Sequence, residues 1–175
     1  TLLSLCSALL AREPLAQRIA HTDPSKYNSA KGAHGGAGEL SYMGLLGDAS
    51  LNTNLIFLHR GELLAGGGIG HHFHNHMEEM FVIFDGQAEF TIDGRTSVLK
   101  GTVGAPCRMG HSHAIYNPSD KPVEFMNINI AAMKGHYDAF NLEDARTDVA
   151  SKDPIPVFMT MNLDRKLLQH AVDET

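Results

Sequence analysis

At 175 residues with 43% hydrophobic side chains, the chain can bury one substantial core but is too short for two ordinary domains. Fourteen Lys and Arg against 20 Asp and Glu give a formal charge of -6. Most basic residues stand singly (Lys26, Lys31, Arg60, Arg95, Lys100, Arg108 and Lys121 among them), which argues against a phosphate-collecting stripe and a nucleic-acid partner.

Residues 1 to about 20 predict a helix with Leu2, Leu5, Leu9 and Leu10 near one face and Pro14 close to a start or break. The apolar opening from Thr1 to Ala11 lacks a basic n-region, so a helix packed on the domain is expected in preference to the end of a secretory signal. A cytoplasmic protein is the expectation, with export left open because no initiator Met is present. No membrane partner is expected, since no segment reaches the roughly 20 apolar residues of a spanning helix. Cys6 and Cys107 form no CxxC pair and are expected as free thiols.

From His21 to Gly38 the Asp23-Pro24-Ser25 run and Gly32, Gly35, Gly36 and Gly38 predict loop and extended arm. Short β-favouring runs follow: Glu39 to Leu46, Asn54 to His59, Glu79 to Phe84, Ala88 to Ile92, Thr96 to Leu99, Ser112 to Asn117 and Val123 to Ile130. Asp93-Gly94 between two of them is a two-residue hairpin signal, because both central positions of a type I′ turn need positive φ. Asp85-Gly86 marks another tight turn. Evenly spaced short strands with no helical period between them predict an all-β antiparallel barrel or sandwich. Lys134 to Pro156 reads as polar, Val157 to Asn162 as one more strand, and Asp164 to Val172 as a short helix.

Six of the 11 histidines fall into two clusters, His71, His72, His74 and His76 in one, His111 and His113 in the other. Alternate residues of a strand share a face, so His72 and His74 point the same way with Phe73 opposite. Asn75 to Glu78 reads as a turn, after which Glu79, Phe81 and Ile83 share one face and Met80, Val82 and Phe84 the other. His113, Ile115 and Asn117 share a face in the later strand. With Glu79 inward, three imidazole nitrogens and one carboxylate oxygen meet, a donor set suited to a divalent first-row metal. The alternatives are surface histidines or a His74–His76 pair, the latter leaving a cramped spacing to Glu79. By parity His71 and Glu78 fall on the opposite face.

The spacing Gly66-x5-His72-x-His74-x4-Glu79-x6-Gly86 resembles the first motif of the cupins at all five fixed positions. Gly110-x2-His113-x3-Asn117 resembles the latter half of the second cupin motif, with Arg108 where the motif has Pro and Thr102 where it has the leading Gly. The resemblance covers about Asn54 to Ile130 and implies a double-stranded β-helix, the jelly-roll barrel of that family, with His72, His74, Glu79 and His113 as metal ligands. The organisation expected on this basis is an N-terminal helix and arm over 1–38, the barrel over 39–133 and a C-terminal extension packing on it over 134–175.

The resemblance implies one divalent metal, Fe, Mn, Ni or Zn, and a small-molecule substrate. It points to dioxygenases first, then to isomerases, decarboxylases and lyases, and to non-catalytic ligand-binding cupins as a further class. Other pocket candidates come from parity. Phe81, Ile83 and Ile115 are apolar lining, with core packing as the alternative. Asn127 and Asn129 share a face with Phe125 and are polar contacts or an outward row. Arg108 is a carboxylate anchor or an exposed turn residue, and His111 a proton shuttle at the pocket mouth or a structural hydrogen-bonding residue. A homodimer is expected, the arm around 21–46 covering the partner barrel with Leu40, Tyr42, Leu45 and Leu46.

Overall fold

In the computed structural model the described residues are 19–142 and the strand Met161–Asn162. The helices expected over 1–20 and 164–172, and Cys6, lie outside them. Among the described residues twelve strands run in chain order: β1 Asn28–Lys31, β2 Glu39–Gly47, β3 Leu55–Leu63, β4 Gly68–His74, β5 Met77–Ile83, β6 Gln87–Ile92, β7 Arg95–Lys100, β8 Val103–Cys107, β9 His111–Tyr116, β10 Val123–Ala131, β11 Phe140–Asn141 and β12 Met161–Asn162.

They form a seven-stranded sheet in the order β1-β2-β3-β10-β5-β8-β12 and a five-stranded sheet in the order β11-β4-β9-β6-β7. All the pairings are antiparallel. The two sheets face each other across the core, the antiparallel all-β arrangement that the strand pattern predicts and the double-stranded β-helix that the motif resemblance implies.

The hairpin joining β6 and β7 pairs Ile92 with Arg95. Its two loop residues, Asp93 at φ 48° and Gly94 at φ 75°, have the left-handed backbone that a type I′ turn demands. The β4–β5 connection is tighter than the four residues expected. Only Asn75 and His76 form the turn, and Glu78 is an exposed strand residue. Two strands carry weak sequence signals. β1 sits in the glycine-rich arm and pairs with β2, while β8 contains Gly104 and Pro106 and pairs with β5 through residues 103–107. Proline and glycine lower strand propensity, and partners on the neighbouring strand override that here.

Registers place the inward rows of the larger sheet in sequence along the barrel. Phe125 lies between Gly61 and Ile83, Asn127 between His59 and Phe81, and Asn129 between Phe57 and Glu79. One end of the barrel is therefore apolar, closed by Leu63, Phe81, Ile83, Phe90, Ile115 and Phe125, all at most 1% exposed. Each such burial stabilises the fold by about 1.5–3 kcal/mol. Polarity rises toward the other end, where the histidines and Glu79 stand.

The N-terminal arm lies on its own barrel. Leu40 is buried in this core, Ala30, Ala33 and Tyr42 pack against it, and Leu45 and Leu46 are half-buried. Among the described residues no helix is long and apolar enough to cross a membrane.

Candidate metal centre

β4 carries His72 and His74, β5 carries Glu79 and β9 carries His113, and pairing of β4 with β9 sets His72 directly beside His113. A register shift between Ile69 and His72 changes the parity of β4, so both Ile69 and His72 are buried although three positions apart. Across the barrel, β5 brings Glu79 to the same point. The four side chains are 0% to 4% exposed, and one donor atom from each lies within 4.8 Å of every other.

Glu79 Oε2 stands 2.6 Å from His74 Nε2, 3.0 Å from His113 Nε2 and 3.3 Å from His72 Nε2. His113 Nε2 is 3.1 Å from His72 Nε2 and 3.3 Å from His74 Nε2. Nitrogen ligands at about 2.0–2.1 Å from one ion stand roughly 3 Å apart at adjacent coordination positions, so this spacing fits a shared cation.

The tautomers point the same way. His72 Nδ1 donates to the Gly70 carbonyl at 2.7 Å and His74 Nδ1 to the Asp138 carbonyl at 2.6 Å. With the proton on Nδ1, each Nε2 lone pair faces the carboxylate, an arrangement that needs a positive charge at the centre. The cluster could therefore hold a metal ion.

Electrostatics follow from this crowding. In the metal-free cluster burial raises the Glu79 carboxyl, but hydrogen bonds from protons on the facing Nε2 atoms of His113, His72 and His74, which a bound cation would displace, more than offset it and hold the group well below the usual carboxylate range. Burial lowers His113 to about 4, against the opposing pull of Glu79. For His74 burial is the largest single influence and lowers it, yet Glu79 and the Asp138 carbonyl together leave it raised.

Three segments outside the motif complete the surroundings. Gly36 and Gly70 are so close that a Cβ on either would sit 2.5 Å from the other's backbone nitrogen, which lets the Ala33–Gly35 turn lie on β4. His34 of that turn stacks on His72 with ring centroids 4.0 Å apart, and its own backbone is left-handed at φ 51°. Its Nδ1 donates to Asn141 Oδ1 at 2.8 Å, and Tyr137 Oη donates to its Nε2 at 3.3 Å. The Asp138 carboxylate accepts from the backbone N–H groups of Asn75 and His76 at 3.0 and 3.1 Å, fixing the turn between two ligand strands.

In front of Glu79 lies a cavity of about 160 Å³, lined among others by His34, Tyr42, Phe57, His59, Phe125 and Asn127. Burial lowers both His34 and His59, which favours their neutral forms.

Parity thus brings His72, His74, Glu79 and His113 together, and it turns Asn127 and Asn129 inward, 6% and 0% exposed. Other expected pocket residues fall elsewhere. Ile83 and Ile115 are packed in the core and do not line the cavity, because strand pairing places them toward the apolar end. Phe81 is core as well, its ring stacked on His113 at 4.5 Å. Arg108 is exposed and lines a second hollow of about 280 Å³ with Met80, Ile128 and Ile130, whose parity is outward, a hollow that Glu79 also borders. His111 donates through Nδ1 to Asp93 Oδ2 at 2.6 Å rather than reaching the cavity, since the β6–β7 turn presents that carboxylate beside β9. His71 is hydrogen-bonded to Ser112 Oγ at 2.8 Å, and His76 is exposed near Asp138. Cys107 is buried and free.

Sequence reasoning passed over His34, Tyr42, His59, Tyr137, Asp138 and Asn141. His59 and Tyr42 lie in expected strands, the expectation for Tyr42 being a contact with a partner barrel. His34, Tyr137, Asp138 and Asn141 come from the glycine-rich part of the arm and from the stretch after β10, where no periodicity assigns a face.

A family model described as a cupin domain matches residues 59–129. Over 97 residues the chain is 25% identical to a mannose-1-phosphate guanylyltransferase of Klebsiella pneumoniae, a match covering 55% of this chain and 21% of that protein. The chain thus spans about a fifth of that relative's length. Among solved structures it is similar to a predicted oxalate decarboxylase from Thermotoga maritima, with a TM-score of 0.59, 24% identity, and 63% of this chain and 98% of the other covered. It is also similar to the polyketide cyclase RemF from Streptomyces resistomycificus, with a TM-score of 0.53, 15% identity, and 70% and 84% covered. At these identities the likeness speaks for the fold, and it agrees with the motif and the buried donor set. Residues 59–129 match a cupin domain, in agreement with the motif spacing, the two-sheet fold and the buried donor set.

Proposed function

We propose that this chain is a metal-dependent enzyme acting on a small organic molecule, with an oxygen-dependent reaction as the leading chemistry. The observation that carries the reading is the buried three-histidine, one-carboxylate cluster opening on a mainly apolar cavity through Glu79. His72, His74, Glu79 and His113 would hold a divalent ion, Fe, Mn, Ni or Zn. When bound, such an ion supplies Lewis-acid or redox chemistry at coordination positions the protein leaves open.

The chain's own residues prepare that site. The Gly70 and Asp138 carbonyls fix two imidazoles with Nε2 toward the centre. Phe57, Phe125 and Leu40 on the cavity wall limit water near the reacting molecule. A second reading, an isomerase, lyase or decarboxylase, is favoured by His59. This largely neutral imidazole shares the cavity with Glu79 and could take or return a proton. We further propose a homodimer in a cytoplasmic setting; light scattering at micromolar concentration showing a monomer would remove the dimer.

The test of function is a panel of catechols, flavonols, thiols and small hydroxy or keto acids, incubated with iron-, manganese-, nickel- and zinc-loaded protein. An oxygen electrode and product analysis follow each reaction. Oxygen uptake coupled to product supports the leading chemistry. Turnover without uptake selects the second reading, and a tightly bound compound recovered unchanged under every metal makes the protein a binding module.

A further inference from the structure

The cavity before Glu79 has a composition that selects a kind of ligand. Its volume of about 160 Å³ is that of a space filled by one six-membered ring with small substituents. Half of the residues that line it carry rings. Phe57 and His59 stack at 4.0 Å with planes 4° apart, Tyr42 tilts against His59 at 4.9 Å, and Phe125 closes the inner end. Such surfaces pair with another aromatic ring in offset or edge-on arrangements.

One polar group on the wall lacks a partner. Asn127, 6% exposed, lines the cavity, and its Oδ1 accepts no hydrogen bond. A buried amide oxygen left unpaired costs free energy that a donor from a ligand recovers. Asn127 lies beside His59 on one strand and Phe81 on the other, one inward row from Glu79. A hydroxyl donating to it would therefore hang on a ring placed beside the metal centre.

We propose that this cavity binds a single-ring hydroxylated compound of the phenol or catechol class, its ring among Phe57, Tyr42 and Phe125 and its hydroxyl donating to Asn127 Oδ1. This rests on the cavity being the substrate side of the proposed metal enzyme, and it names the substrate class.

The test is titration calorimetry of phenol, catechol, toluene and oxalate against the full chain, metal-free and metal-loaded. Phenol and catechol are expected to bind roughly 3- to 10-fold more tightly than toluene, the contrast one neutral hydrogen bond supplies. Asn127→Leu should bring phenol down to the toluene level while leaving toluene unchanged, so toluene binding reports that the variant is folded. Ala30→Leu, on the cavity wall at the edge strand, should abolish binding of all the ring compounds. Equal affinities for phenol and toluene in the unaltered protein, phenol binding that survives Ala30→Leu, or preference for oxalate over every ring compound would each overturn the proposal. The two readings fail separately. Ring binding with no turnover under any metal removes the enzyme and keeps the ligand class, whereas turnover of a hydroxy or keto acid without ring binding does the reverse.

Discussion

The imidazole of His34 lies flat on that of His72, centroids 4.0 Å apart and planes 12° from parallel. His34 is also one of two non-glycine residues with positive φ among those described, a backbone state that costs free energy and recurs at functional sites. The ring limits how far His72 can swing and, through Tyr137 and Asn141, ties that ligand to the segment after β10. His34→Asn is expected to lower metal affinity roughly 10-fold, the lower end of what groups supporting a ligand contribute. Asn tolerates the left-handed backbone, so the change reports on the lost ring. Titration of metal-free protein with zinc checks it, and unchanged affinity would show that the stack is idle.

The ligand set itself separates by parity. His72→Ala, His74→Ala, Glu79→Ala and His113→Ala are each expected to weaken metal binding by at least the 10- to 100-fold lost with a mere supporting contact. His71→Ala and His76→Ala should leave it within about twofold, because one ring is held on Ser112 and the other is exposed. Retained affinity in His72→Ala with loss in His76→Ala would mean that the His74–His76 pair binds the ion.

Much of this was legible before any coordinates. Period-two alternation separated His72 and His74 from His71 and Phe73, and the Asp93-Gly94 pair located a hairpin, because both signals are local. The substrate side was not legible. Ile83 and Ile115 share their faces with ligands, and parity cannot say how far along the barrel an inward residue stands. Ile83 falls two residues past Phe81, toward the closed end, where Phe125 covers it. His34, Tyr137 and Asp138 reach the site through contacts more than 35 residues apart in sequence, formed by irregular segments without a periodic face. The arm, read as loop, forms β1 because β2 supplies its hydrogen-bond partners.

Asp138 offers a test of that outer support. Its carboxylate accepts two backbone N–H groups of the β4–β5 turn while its carbonyl fixes His74. Asp138→Ala should destabilise the fold by about 1 kcal/mol, the net contribution of hydrogen bonds that, like these, are exposed to solvent. It should also weaken metal binding, since the turn spaces His74 from Glu79. Urea denaturation and metal titration of one preparation read both effects. Lost stability at full metal affinity would confine Asp138 to the turn.

The pH dependence of the metal-free protein follows from the signs at the cluster. His113 is lowered from 6.5 to about 4 by burial, so between these values the unfolded chain binds a proton that the folded protein refuses. Stability therefore falls as pH drops from about 6.5 toward 4. Glu79, held well below its ordinary range, contributes stability present above the unfolded carboxylate value and lost at still lower pH. His74 acts oppositely: its raised value contributes stability present below about 6.5 and lost as pH rises through the folded value. The thermal midpoint of metal-free protein should pass through a maximum near neutrality and decline on the acid side. Metal-loaded protein should decline more steeply there, because the imidazoles must shed protons to bind and acid releases the ion. Thermal melts of both forms from pH 4 to pH 9 measure this. A metal-free midpoint that keeps rising down to pH 4 would contradict a buried, neutral His113.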